Sequence, residues 1–353
     1  MVIYSITEGD YMAEEEKQEY RVRIKDIADE LGVSTATVSN VIHGKTRKIS
    51  ETTVAKVQEV LEKNQYFPNM ASILMAQNDA RIIGVILSDD CKYEGRMIED
   101  PFVGTVVSNL LKEIQAKGYF MLLREEDDLE EIVRYSSIWN MAGILLLGFC
   151  EQEYEKLRSR MRIPFVVIDG FLKKIDRYGN IGIDNFSGGY QMGEYLWNMG
   201  HRNILFLADN DECADHQRYC GFVKAITEWG GGMCDFKMLP MEAGKRPEVY
   251  EQLLSQLGEY TAAFCASDVY AIEFMSYLTD HGYRIPEDFS VSGFDDVSAA
   301  QIVRPKLTTI RQDLKEKAAL AMDLLESMMK GNIIQEERIL PVTLVERQSV
   351  KKI

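Results

Sequence analysis

The sequence is poor in the residues that staple or metallate a fold. Its 353 residues hold six cysteines and four histidines. Cys91, Cys150, Cys213, Cys220, Cys234 and Cys265 form no C-x-x-C pair, and no histidine cluster accompanies them. That excludes zinc-finger spacing and favours idle, reduced thiols over disulfides. No stretch has the uninterrupted apolar length of a membrane span. The N-terminus lacks the basic start and apolar core of a signal peptide, so the expectation is a cytoplasmic protein with no membrane partner. Phosphate and dinucleotide loops are missing too. Gly230-Gly231-Gly232 runs into Met233 with no Gly-Lys-Ser/Thr after it, and Ile83-Gly84-Val85-Ile86 holds one glycine where G-x-G-x-x-G is needed. Positive charge is short as well, 40 Lys and Arg against 56 Asp and Glu, a net charge of −16. This balance excludes a chain coated by nucleic acid along its length, but it permits a small basic head on an acidic body. No catalytic residue, metal or cofactor is expected.

What is present starts with the stretch Ile24 to Gly44. Ile24, Ile27, Ala28 and Leu31 fall on one helical face. Gly32 supplies a left-handed stop, and Ser34 caps a second helix whose Val38, Val41 and Ile42 form another apolar face. This reads as a helix-turn-helix. Thr35, Ala36, Ser39 and Asn40 remain on the outer face of the second helix. They are sized for a major groove, and Thr35, Ala36 and Asn40 are the candidate base readers. Lys25, Ser34, Thr37 and Lys45 are the candidate phosphate contacts, within a flank that also carries Arg21, Arg23, Arg47 and Lys48. A third helix begins at Ser50, with Val54, Val57 and Leu61 in phase. Residues 1–20 are an acidic arm, read as disordered, in which Met12 is an alternative initiator. From Arg81 onward, apolar runs at 82–87, 119–123, 143–148, 165–169, 203–208, 262–266 and 291–295 alternate with helical patterns, and a last strand lies around Ile339–Val345. Alternation of this kind gives parallel sheets covered on both faces, with ligand residues at the carboxyl ends of the strands. The expected fold is an all-α helix-turn-helix head plus an α/β body of two doubly wound parallel-sheet lobes.

Several motifs give the chain a relative. The helix-turn-helix continues through Ser50–Asn64 into Tyr66-Phe67-Pro68-Asn69. In the body stand Asp100-Pro101-Phe102, Asp184-Asn185, Gly188-Gly189, Gly200-His201-Arg202, Arg218-Tyr219-Cys220-Gly221-Phe222, Ser267-Asp268, Gly293-Phe294-Asp295-Asp296 and Leu307-Thr308-Thr309-Ile310-Arg311-Gln312. In this order they resemble the lactose/galactose-repressor (LacI/GalR) family of bacterial transcription regulators. The resemblance implies a periplasmic-binding-protein-like body and a homodimer on pseudopalindromic operator DNA. It also implies a small-molecule effector, a sugar above all, in the cleft between the lobes. It divides the chain into the arm 1–20, a DNA-binding domain 21–67, a hinge 68–80, one lobe from 81–182 and 311–338, and another from 183–310 and 339–350. The hinge would press Met75, or its neighbour Leu74, into the minor groove. Effector-binding positions carried over are Phe102, Asp169, Asp184, Arg218, Ser267 and Asp295. Asp184 has two readings, as ligand contact or as helix cap.

The chain departs from the family at Ser267, where an asparagine is frequent, and at Gly170, where an arginine is frequent. It departs again at the charged exit Arg124-Glu125-Glu126 and in an insertion at 91–99. Two competing classes are a two-lobed sugar carrier and a sugar-processing enzyme without a DNA role. The first would need export. The second has only Asp295-Asp296 to offer, and adjacent residues at a strand end point apart, which makes a poor acid/base pair.

Overall fold

The computed structural model describes residues 22–66, 81–88, 95–149, 151–171, 179–332 and 336–353. The arm 1–20 and the hinge, with Leu74 and Met75, lie outside these residues. The chain divides into two units between Gln77 and Asn78.

In the first unit, α1 (Ile24–Leu31), α2 (Thr35–Ile42) and α3 (Glu51–Lys63) close on Ile27, Ala28, Val38, Val41, Val57 and Val60. Gly32 ends α1 at φ 63°, in the left-handed region that a side chain would disfavour. Ser34 and Ser50 accept hydrogen bonds from the Thr37 and Thr53 amides at 3.1 and 3.2 Å, which caps α2 and α3.

The second unit is built on two six-stranded sheets. The first takes β1 (Ile82–Leu87), β2 (Phe120–Glu125), β3 (Gly143–Leu147), β4 (Phe165–Ile168), β5 (Gly179–Ile183) and β11 (Glu336–Leu340), in the order β11-β5-β4-β3-β1-β2. The second takes β6 (Asn203–Ala208), β7 (Met233–Met238), β8 (Ala262–Cys265), β9 (Ser290–Asp295), β10 (Thr308–Gln312) and β12 (Val342–Val345), in the order β12-β10-β9-β8-β6-β7. Among the described residues, all strand pairs are parallel except β10 with β12. Strands buried on both faces explain the unbroken apolar runs of β1, β3 and β4.

Helices connect the strands: α4 (Pro101–Ala116), α5 (Leu129–Ile138), α6 (Glu151–Arg160), α7 (Asn185–Asn198), α8 (Cys213–Glu228), α9 (Arg246–Leu254), α10 (Asp268–Asp280), α11 (Ser298–Ile302) and α12 (Leu314–Met329). Among the described residues, no helix is long and apolar enough to cross a membrane.

The structure corrects the sequence reading at the chain's later crossings. The single strand expected around Ile339–Val345 is two strands, β11 in the first sheet and β12 in the second. β10 keeps the chain in the second sheet to Gln312. The lobes therefore exchange the chain after Gln312 and after Leu340, two residues beyond 310 and 338. Alternation along Glu336–Leu340 is masked by Glu337 and Arg338, an edge-strand trait that hides the strand in a hydropathy reading. β5, β7 and β10 also escaped the apolar-run reading, because glycine, charge or threonine interrupts them.

Candidate functional site

In the head, Thr35, Ala36 and Asn40 are exposed together on α2, while Val38 and Val41 face the core. Lys25 and Lys45 are exposed as well. Ser34 and Thr37 are differently placed. Their hydroxyls bond to each other at 2.9 Å and Ser34 accepts the Thr37 amide, so both belong first to the cap. The hydroxyl that accepts in this pair keeps its own proton to donate to a phosphate oxygen.

In the body, strand ends from both sheets meet at a cavity of about 350 Å³. Phe102 reaches it because Asp100 caps α4, accepting the Phe102 and Val103 amides at 2.9 and 3.1 Å, with Pro101 at the first helical position. Asp169 follows β4, Ser267 follows β8 and Asp295 ends β9, and all three line the cavity with Arg218 of α8. Asp169 and Asp295 both hold positive φ, 55° and 109°. Such backbone is costly for a residue with a side chain and concentrates at functional positions.

Arg218 is buried and oriented by fixed acceptors. Its Nε donates to Asn185 Oδ1 at 2.9 Å, its Nη1 to the Ala266 carbonyl at 2.6 Å, and its guanidinium lies 3.8 Å over the Phe294 ring. Asp295 Oδ1 accepts from Gln312 Nε2 at 2.7 Å. Burial raises the Asp295 carboxyl to about 6, with the Arg218 charge and the Gln312 bond pulling the other way. Beneath it, fully buried Asp268 is also held above the carboxylate range, by burial first and by Asp295 second. Its oxygens take the Val297 amide at 2.9 Å and the Thr309 hydroxyl at 2.5 Å.

Asp184 is outside this assembly. It is exposed and caps α7 through the Ser187 amide at 2.8 Å, and its neighbour Asn185 lines the cavity instead. The cap reading of Asp184 therefore replaces the ligand reading. Ser267 lines the cavity while also capping α10, through a long 3.4 Å bond from the Tyr270 amide. Asp296 turns away from Asp295 to Arg311 at 2.6 Å and to Arg347, so the two carboxylates do not face one another as an acid/base pair.

The departures noted in the sequence have local causes. Gly170 exchanges two bonds with the Asn180 side chain, at 3.1 and 2.8 Å, and a Cβ there would stand 2.6 Å from Val167. Arg124 is consumed by Glu126 at 2.7 Å and by the Tyr135 ring at 3.6 Å. The inserted loop supplies Arg96 and Glu99 to the cavity wall.

Sequence reasoning missed Asn185, Arg246, Tyr270 and Glu273, which also line the cavity. It missed Lys317 and Gln312 behind them as well. Arg246 bonds both Glu273 oxygens at 2.8 Å and lies over the Tyr270 ring. Lys317 carried a readable signal. It shares the stripe of Ala321, Leu324 and Leu325, where a charge conflicts with the helical pattern. Among the described residues, no group of His, Cys, Asp and Glu could hold a metal ion.

Comparison with known proteins follows the same two parts. Residues 23–69 match the family model described as bacterial regulatory proteins, lacI family, and residues 194–350 match a periplasmic binding protein-like domain. The chain is 30% identical over 341 residues to the HTH-type transcriptional repressor PurR of Mannheimia succiniciproducens, covering 94% of this chain and 99% of that one. It is 28% identical over 341 residues to the HTH-type transcriptional regulator MalR of Clostridium butyricum, covering 93% and 99%. Among solved structures, the lac repressor dimer bound to operator and the anti-inducer ONPF superposes with a TM-score of 0.80 at 23% identity, over 94% of this chain and 99% of that one. The complex of the transcriptional regulator CelR with cellobiose superposes with a TM-score of 0.68 at 22% identity, over 93% and 100%.

Proposed function

The chain belongs to the LacI family of bacterial regulatory proteins, and from that premise we propose that it is a cytoplasmic repressor released from or recruited to its operator by a neutral, polyhydroxylated effector, a sugar. The observation that carries the ligand class is the pair Arg218 and Asp295. Arg218 Nη2 and Asp295 Oδ1 stand 3.8 Å apart at the cavity. A hydroxyl suits that gap, since it donates to the carboxylate and accepts from the guanidinium at once. Phe102 adds a flat apolar wall for a ring. The lining carries six carboxylates against three guanidiniums, so an anionic ligand would meet net repulsion. The size of the cavity and its second polar cluster, Arg246 with Glu273, leave room for more than one sugar ring. The cellobiose complex of the structural neighbour CelR is consistent with this class.

On the DNA side, Thr35, Ala36 and Asn40 read base edges while Lys25, Lys45 and the capping hydroxyls of Ser34 and Thr37 hold phosphates. A homodimer would set two α2 helices one helical turn apart on a pseudopalindrome. Leu74 and Met75 of the hinge are proposed for the minor groove. Effector and operator affinities are then reciprocally linked, whichever sign the coupling has.

The test is a thermal-shift screen of the full chain against neutral mono- and disaccharides, with sugar phosphates as the contrast. A gel shift with a selected operator follows, with and without the binder. Binding of a neutral sugar that changes operator affinity is expected. Binding of sugar phosphates alone, or turnover of a sugar without any shift, would overturn the reading.

A further inference from the structure

Lys317 is fully buried. Burying an ammonium is costly unless each donor finds an acceptor. Here three donors meet three acceptors: Asp169 Oδ1 and Oδ2, each at 2.7 Å, and Gln312 Oε1 at 2.6 Å. The Phe102 ring centroid lies 5.5 Å from the same nitrogen. These partners come from different lobes. Asp169 follows β4 of the first sheet, Gln312 ends β10 of the second, and Lys317 sits in the first turn of α12, just past the crossing between them.

An ammonium has no lone pair, so it dictates how the Gln312 amide is turned. The amide oxygen must face Lys317 and the amide nitrogen must face away. The nitrogen then donates to Asp295 Oδ1 at 2.7 Å. One unbroken polar chain thus runs from Asp169 in the first lobe, through Lys317 and Gln312, to Asp295 in the second. The helix does not need a lysine here. Ala318, Ala321 and Leu325 of the same helix are buried as it is, and an unbranched apolar methionine in its place would carry no charge to desolvate. What the lysine supplies is the connection.

We propose that Lys317 is a tie between the two lobes of the cleft and a positioning residue that fixes Gln312, and through it the presentation of Asp295 to the cavity. The tie also takes one lone pair on each Asp169 oxygen, so Asp169 meets the cavity with its charge already paired, and effector reading falls chiefly on Asp295 and Arg218. The last step rests on the effector reading above; the tie itself does not, and it is tested without any ligand.

The experiment is hydrogen exchange read by mass spectrometry on the full chain, ligand-free, in Lys317→Met and in Lys317→Met/Asp169→Asn. The amides of Asp169 and Gly170, bonded to Ile181 and Asn180 at 2.9 and 3.1 Å, and the end of β10 are the reporters. Loss of the tie should speed their exchange roughly tenfold through easier local opening, while strands far from the crossing keep their rates. The single variant should also melt lower, because Asp169 is left unpaired. The double variant removes that charge and should regain the wild-type melting temperature while exchange at both strand ends stays fast. It keeps the question open to an answer even if the single variant folds poorly. Wild-type exchange in the double variant would mean that Lys317 only balances a buried charge, and the tie would be overturned. Unchanged exchange in Lys317→Met would overturn it as well.

Discussion

Arg218 Nη2 lies 3.8 Å from Asp295 Oδ1, near enough for the charges to attract and too far for a hydrogen bond. Arg218 is held on Nε and Nη1 by Asn185 and Ala266, and Asp295 is held by Gln312 on the same Oδ1 that faces the guanidinium. The gap is therefore held open by the protein rather than left by slack side chains.

Asp295→Asn keeps the shape of this site and removes its charge. A hydrogen bond to a charged group contributes about 1.5–3 kcal/mol, so effector affinity should fall by one to two orders of magnitude. Operator affinity without effector should stay within about twofold, because nothing in the head changes. Calorimetry with the binder found in the screen, beside a gel shift, checks both halves. Equal effector affinity in wild type and variant would remove Asp295 from the ligand set.

The same carboxyl should give effector binding a pH dependence. Asp295 titrates at about 6 in the folded chain, and only its ionised form accepts a hydroxyl without a competing proton. Affinity should be flat at neutral pH and decline as pH falls through 6. Asp295→Asn should abolish that decline, and calorimetry across pH 5 to 8 separates the two curves.

Stability should follow two opposed titrations. The Asp295 pKa is raised by burial, so its contribution is present below the unfolded value and is lost as pH rises through about 6. His201 is the reverse case. It is fully buried between the Thr261 hydroxyl at 2.8 Å and the Lys351 carbonyl at 3.1 Å, and burial lowers it to about 4. Its contribution is present above about 6.5 and is lost as pH falls through 4. Each shift corresponds to at most about 3 kcal/mol, so the two largely offset one another in wild type. Asp295→Asn should therefore lose stability more steeply between pH 6.5 and 4 than wild type does. Parallel acid slopes in urea titrations of the two proteins would refute the assignment.

The double glycines mark a packing contact that sequence could quote without explaining. A Cβ on Gly189 would run into the Arg218 carbonyl, and one on Gly221 into the Phe186 carbonyl, so α7 and α8 meet backbone to backbone. That approach is what brings Asn185 to Arg218. Gly189→Ala or Gly221→Ala should cost about 3 kcal/mol or more, since a backbone cannot step aside as a side chain can. Gly244→Ala meets nothing within 4 Å and should be near neutral, which makes it the control in urea melts.

How far the sequence speaks depends on whether a residue acts alone or through the fold. α1, α2 and their caps were legible because capping and apolar phase are local. Phe102, Arg218 and Asp295 were reachable because they sit in motifs. Asn185 was not distinguished from Asp184, since only the start of α7 decides which of two adjacent polar residues caps and which turns inward. Arg246 and Glu273 escaped because they pair across 27 residues and belong to no local pattern. The split of the last strand escaped because both pieces are short and lie in different sheets.

The proposed DNA reading gives residues of the head three different roles, and three variants should tell them apart. Asn40 is exposed on the face opposite Val38 and Val41, and asparagine can bond an adenine edge twice. Asn40→Ala should lose about 1–3 kcal/mol of discrimination at one base pair and leave the salt dependence unchanged. Lys25 carries charge and no pattern of donors matched to a base. Lys25→Ala should weaken every sequence alike and lower the salt slope by about one counterion. Ser34 is the cap of α2, with its hydroxyl on the Thr37 amide at 3.1 Å. Ser34→Ala should cost the head about 1 kcal/mol of stability, and its effect on DNA should be uniform across sequences, because a frayed helix misplaces all its readers together. Binding-site selection, salt titration and thermal melting, run on all three, assign each residue by which measurement moves. If Asn40→Ala leaves base preference intact while Ser34→Ala alters it at a single position, reading belongs to the N-terminus of α2 rather than to its outer face.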